Sequence, residues 1–158
     1  MKKNVFVLLL AIMMVTFLSC KKDSSDTTTD DTTVGFSLKF QGNTWTGSTY
    51  TAAHVTATNQ TQITAYKSGT SDQVVVGFTG SGTGTYNIND NNMGSAVIGS
   101  ATFSSLFSDP PVGSIVITKY DVSKKLISGT FTFDGQSYGG TVYHITDGKF
   151  SNVPLTVY

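Results

Sequence analysis

The sequence predicts an all-β domain, an antiparallel β-sandwich or partly open barrel of about nine or ten strands. Three observations lead there. Apolar and polar residues alternate with a period of two through most of the chain after residue 33. No helical period appears beyond residue 20. Strand-like runs rich in Thr, Val, Ile and aromatics recur about every eight to twelve residues, separated by Gly, Asn, Asp and Ser. One unit, residues 34–158, accommodates them all, and a domain of that size buries roughly two-thirds of its unfolded surface without disulfides or metal.

The elements follow in order. Phe36, Leu38 and Phe40 alternate with Ser37, Lys39 and Gln41; Gln41-Gly42-Asn43 is turn chemistry, and Thr44-Trp45-Thr46 begins the return strand. Residues 49–57 extend as a strand with Ala53 and Val55 on one face and Tyr50 and His54 on the other. Residues 63–67 form a short strand. Val74, Val76 and Phe78 mark the next, and Val75 between them predicts burial on both faces. Residues 80–84, GSGTG, break the chain before Tyr86 and Ile88 resume it.

Residues 87–94, NINDNNMG, are a loop, 95–103 a weaker strand, and 104–113, with Asp109-Pro110-Pro111, an exposed connection. Ile115 and Ile117 open a hairpin that turns at 121–125 into a strand carrying Ile127, Phe131 and Phe133. Asp134-Gly135 and Asp147-Gly148 both carry turn signals; Val142, Tyr143 and Ile145 lie between them, and 149–155 close the chain. The expected core is Phe36, Leu38, Phe40, Val76, Phe78, Ile115, Ile117, Ile127, Phe131, Phe133, Ile145 and Phe150.

Ahead of the domain, Lys2 and Lys3 precede an apolar run from Val5 to Leu18 broken only by Thr16, then Ser19 and the single cysteine, Cys20. A positive start, a short apolar segment and a small residue before the cut describe an export signal. The run is too short for a membrane-spanning helix, which needs roughly twenty apolar residues. Phe17-Leu18-Ser19-Cys20 resembles the lipobox of bacterial lipoproteins. The resemblance implies a signal peptide at residues 1–19, cleavage before Cys20, and acyl chains on its thiol and new amino terminus. Two or three chains anchor stably where one holds marginally.

Residues 21–33, KKDSSDTTTDDTT, contain no apolar side chain. Such a segment does not bury enough surface to offset its ordering entropy, so 20–33 is expected to be a disordered tether behind the lipid. Lys21, rather than Asp, follows the cysteine. By similarity to lipoprotein sorting in Gram-negative bacteria this implies the outer membrane, with periplasmic and cell-surface exposure both open.

The second half carries a further resemblance. Gly113-Ser-Ile-Val-Ile-Thr-Lys-Tyr-Asp121, then Ile127-Ser-Gly-Thr-Phe-Thr-Phe133, then Ile145-Thr-Asp-Gly-Lys-Phe150 and Val153-Pro154 are similar to a family of small Bacteroidota lipoproteins of unknown function. Gly42-Asn43-Thr44-Trp45 resembles that family's opening hairpin, with Gln41 in place of an acid. The resemblance covers most of residues 36–155. It implies fold and address and carries no activity.

The chain has no Arg and no Glu, and without residues 1–19 it holds eight Lys against ten Asp. That balance offers no concentrated basic surface for nucleic acid. His54 and His144, the two histidines, stand in no ordered catalytic motif and read as histidines on strand surfaces. Nearly all the acids sit beside turn residues, where Asp bonds the backbone, so no catalytic carboxylate pair is assigned. Asn89-Asp90-Asn91-Asn92 is oxygen-rich but has one acid, too few for a recognisable calcium loop. The glycine run 80–84 lacks the helix and the Lys-Ser/Thr pair of a phosphate loop. No metal and no cofactor is expected.

Trp45 is the candidate for stacking on a sugar, against hairpin packing as the simpler role. The expected protein is therefore not an enzyme. It is an outer-membrane lipoprotein with a binding or structural β domain, held to the membrane through Cys20. The alternatives for its partner are a glycan or surface polymer, or an envelope protein for which it serves as an adhesin or complex subunit.

Overall fold

The computed structural model describes residues 33–158. The signal peptide, Cys20 and the tether up to residue 32 lie outside the described residues. The domain is all-β and has eleven strands rather than nine or ten: β1 (Gly35–Phe40), β2 (Asn43–Thr46), β3 (Thr49–Val55), β4 (Gln60–Tyr66), β5 (Gln73–Thr79), β6 (Gly84–Asn87), β7 (Met93–Ile98), β8 (Ala101–Ser104), β9 (Gly113–Asp121), β10 (Leu126–Gln136) and β11 (Val142–Val157). A short 3-10 helix, Ser105–Phe107, follows β8.

All the strands join one sheet in the order β2-β1-β11-β3-β4-β5-β7-β8-β10-β9-β6, with β10 also paired to β11. The pairs are antiparallel except β3 with β11, where Ala52 to His54 run parallel to Leu155 to Val157. Strand β11 is central. It pairs with β10 from Val142 to Pro154, with β1 from Ile145 to Ser151 and with β3 beyond. The order ends on β2 and β6, each of four residues, which leaves little open edge for a partner strand.

The departures from expectation have local causes. The weak strand 95–103 is two strands, because Gly99 takes φ of 59° and reverses the chain between β7 and β8. The two Asp-Gly signals near the end are not turns. Both lie inside strands, and the hairpin between β10 and β11 forms instead at residues 137–141, where Ser137 donates its N–H to the Thr141 carbonyl. Gly135 is glycine because a Cβ there would sit 2.6 Å from the Phe103 ring. Gly148 is glycine because a Cβ would sit 2.5 Å from the Phe131 carbonyl oxygen. Asp147, at φ of 51°, lies where the register with both β1 and β10 shifts, so it forms a bulge within β11. Dipeptides that mark turns in isolation here mark close packing.

Eleven of the twelve expected core residues are buried; Phe40 is half-buried, stacked on Phe103 and Tyr143. Phe36 packs beside Phe131 and Phe150, with ring centroids 5.3 and 6.3 Å away. Contacts across the interior bring distant strands together: Phe40 of β1 with Phe103 of β8, Phe78 of β5 with Tyr86 of β6, and His54 of β3 with Tyr120 of β9. Val75 is half-buried rather than enclosed, because it faces outward on β5.

Candidate functional site

Alternation along β3, β4, β5, β7 and β8 sends Ala52, Ile63, Val74, Val76, Ala96 and Phe103 inward. It turns Thr, Gln, Ser, Val and Tyr outward. None of the outward residues of these five strands is Asp, Lys or His. Registers align them in rows: Tyr66, Gln73, Val97 and Thr102 in one, and Thr51, Thr64, Val75, Ser95 and Ser104 in the next. Polar groups on the face bond within it. Gln62 donates from Nε2 to Thr64 Oγ1 at 3.1 Å, and Gln73 donates to Tyr66 Oη at 3.3 Å.

Two shallow depressions mark this face. One, about 180 Å³, lies over Val75 and Val97, with Gln73, Ser95 and Thr102 beside them and Phe107 at its lip. The other, about 130 Å³, lies over Gly77 between Gln60, Gln62 and Met93, with Asp90 and Asn91 at its rim. Phe107 is 56% exposed and Tyr66 46% exposed. The 3-10 helix holds Phe107 there: Ser105 is fully buried, its hydroxyl accepts from the Gly94 N–H at 2.9 Å, and Ser104 Oγ caps the turn through the Leu106 N–H.

Trp45 is not at this surface. It is 3% exposed, meets Phe36 edge-on and donates its indole N–H to Asp72 Oδ2 at 3.0 Å. Its ring therefore presents no open face to a sugar. The other oxygen of Asp72 accepts the Gly99 N–H at 2.9 Å. That bond holds the carboxyl below its ordinary range against the opposing effect of burial, and the Trp45 bond and the Lys67 charge add to it. Asp72 thus ties β2 to the loops β4–β5 and β7–β8. Tyr50, Tyr86, Tyr120 and Tyr143 also pack against the core, while Tyr66, Tyr138 and Tyr158 are open to solvent.

The histidines part company. His54, expected on a strand surface, is buried on the inner face of β3. Thr61 Oγ1 gives its one proton to the Gly80 carbonyl at 2.6 Å, so His54 Nδ1 must donate to Thr61 at 2.9 Å. The ring is a structural bridge from β3 to β4. His144 stands on the outward face of β11, directly across from Asp134 on β10, with Nδ1 2.7 Å from the carboxylate. His144 is exposed to solvent and Asp134 is half-buried.

In the loop 88–92 two of the three asparagines already spend their oxygens on the backbone. Asn89 Oδ1 accepts the N–H of Asn91 and of Asn92, and Asn92 Oδ1 accepts that of Thr79. Among the described residues no three His, Cys, Asp or Glu side chains stand close enough to hold a metal ion. In the glycine run, Tyr86 Oη donates to the Gly82 carbonyl, filling the loop with a ring. Cys20 lies outside the described residues.

Of this face, sequence reasoning singled out Val75, and that as a residue expected to be enclosed. It passed over Gly77, the glutamines and Phe107. The signal was present: between Lys39 and Asp109 the only charged residues are Lys67, Asp72 and Asp90. No curated protein and no solved structure matches the chain. The model of one family, the domain of unknown function DUF6252, matches residues 32–154, and the chain belongs to that family.

Proposed function

We propose that the protein is an outer-membrane lipoprotein of the Bacteroidota type whose β domain binds a partner and does no chemistry. Cys20 carries the lipid, residues 20–33 tether the domain, and the uncharged outward face of β3, β4, β5, β7 and β8 is its ligand surface. The observation that carries this reading is the absence of formal charge from the outward positions of five adjacent strands, together with two depressions on the same face. A solvated strand surface ordinarily mixes Lys, Glu and Asp among its polar residues. A surface meant to be covered by a neutral partner avoids them, because each covered charge must lose its hydration.

The lipid reading rests on Lys2, Lys3, the apolar run, and Cys20 ahead of a polar segment. We also favour a partly open barrel or sandwich for the sheet, since β10 pairs with β8, β9 and β11 and so bends the strand order back on itself. The expected outcome for Cys20→Ala is release from membranes of a chain that still folds, with mass spectrometry of the parent finding acyl chains on Cys20. An unacylated Cys20 would end the lipoprotein reading. Protease treatment of intact cells then assigns the domain to the surface or the periplasm.

A further inference from the structure

We infer that the outward face of β4, β5 and β7 takes a neutral polysaccharide, with Gly77 as the floor of the site and Phe107 as its apolar lip; this rests on the reading of that face as the ligand surface. The argument begins with glycine. Leaving aside Gly35, Gly84 and Gly113, which only begin their strands, four other glycines lie in strand interiors, and packing demands each of these four. A Cβ would stand 2.3 Å from the Phe133 ring at Gly94, 2.3 Å from the Val116 carbonyl oxygen at Gly129, 2.6 Å from the Phe103 ring at Gly135 and 2.5 Å from the Phe131 carbonyl oxygen at Gly148. Gly77 is different. A Cβ there would meet Met93 Cγ and the Thr61 carbonyl oxygen at 3.7 Å, ordinary contact. No packing clash requires this glycine, yet glycine weakens a strand. A glycine in a strand interior also marks a place where another body approaches the backbone. Here the missing side chain makes the depression between Gln60, Gln62 and Met93.

The chemistry of the walls names the class of ligand. Gln60, Gln62 and Gln73 each offer an amide donor and acceptor, and Ser95 and Thr102 offer hydroxyls that do both. Adjacent sugar hydroxyls need that mixture. Met93, Val75, Val97 and Phe107 supply apolar surface for the C–H faces of the rings. A charged polymer would find no opposite charge on the strands to replace its lost hydration; Asp90 stands only at the rim. The length points to a chain. Gly77 and Val75 follow one another on the outward side of β5, so the two depressions lie end to end along a strand of seven residues. At about 3.3 Å per residue that is roughly 23 Å, more than one sugar ring spans.

The test is retardation of the full chain, in detergent, through native gels cast with dextran, mannan, xylan or laminarin, and with polygalacturonate and dextran sulfate as anionic polymers. The expected result is retention by a neutral polymer that persists in about 1 M NaCl, where Coulomb attraction is screened. Gly77→Val and Phe107→Ala should each weaken it about tenfold or more, as loss of a central contact does, while Lys149→Ala leaves it unchanged. Gly77→Val should melt no lower than the parent; if it fails to fold, Gln62→Ala, on the surface, replaces it. Retention by no neutral polymer overturns the inference. Retention by anionic polymers alone, lost in Gly77→Val, removes the ligand class but leaves the face as the binding surface. Retention indifferent to every variant on the face removes the surface too. Self-association in sedimentation velocity that Gly77→Val abolishes assigns the face to a second copy and overturns the polysaccharide.

Discussion

On the outward side of β1, β10 and β11, carboxylates meet a histidine and a lysine. Asp134 stands across from His144 at 2.7 Å, and Lys39 reaches Asp147 at the same distance. Lys149 and Asp147 border a depression of about 370 Å³ with Thr130 and Thr132. On the outward side of β3, β4, β5, β7 and β8 the strands carry no charge, and Gln and Thr bond one another. The depression on the charged side is the larger, so size does not separate the two surfaces. The cost of covering them does. An exposed ion pair contributes little to stability, but a partner laid over it must strip water from both ions. Over the uncharged face a partner need only exchange hydrogen bonds with water, close to an even trade for each bond. The same fold therefore has one side that resists being covered and one that tolerates it.

Beneath the charged side the comparison meets the core. Phe131 lies 5.3 Å from Phe36 and 6.2 Å from Phe150, and is almost fully buried. The largest expected effect is that of Phe131→Ala, a loss of about 3–5 kcal/mol in denaturant unfolding. It should unfold both sides together, since β10 and β11 belong to the same sheet as β3. A two-step transition, with the uncharged side melting separately, would show that the two regions are independent.

Asp72 sharpens the contrast, because among the described residues it is the one buried carboxylate, and it lies behind the uncharged side. With its folded pKa below the ordinary value of 3.8, its contribution to stability is complete above the unfolded pKa. That contribution is lost as pH falls through the unfolded value toward the folded one. Asp72→Asn keeps the shape but cannot accept from Gly99 and Trp45 with both atoms. The expected cost is about 1–3 kcal/mol near neutral pH, and the gap between mutant and parent should narrow below about pH 4. A gap that stays constant from pH 7 to pH 3 would mean that the charge of Asp72 contributes nothing.

The all-β class and most of the core were legible because alternation at Phe36-Leu38-Phe40 and Ile115-Ile117 records directly which side is buried. The inner face of β3 was not. Ala52 and His54 are buried and Val55 is exposed, since the Thr61 hydroxyl satisfies the histidine across the strand pair while β3 runs its last residues beside β11. Neither partner is near His54 in a strand-by-strand pattern. The two Asp-Gly pairs misled for a related reason. A dipeptide shows that glycine is needed, and only the approach of Phe103 or the Phe131 carbonyl shows why. The candidate site was least legible. A binding face made of Gln, Thr and Gly looks like ordinary strand surface until registers put those residues side by side.

The glycines turn that lesson into the final test, because two of them should answer the same substitution with opposite signs. Gly129→Ala drives a methyl group against the Val116 carbonyl oxygen and the Phe150 ring. Overpacking of this kind costs about 1–3 kcal/mol. Gly77→Ala meets ordinary contacts and restores the backbone preference that glycine gives up, a gain of about 0.5–1 kcal/mol. Urea denaturation of the two variants beside the parent measures both. A loss at Gly77 would show that the fold itself needs glycine there, leaving the depression on β5 with a purely structural cause. A gain shows that the chain forgoes stability at a half-buried, outward-facing position where packing asks for nothing, which is the pattern expected where a strand keeps its backbone open to something outside the fold.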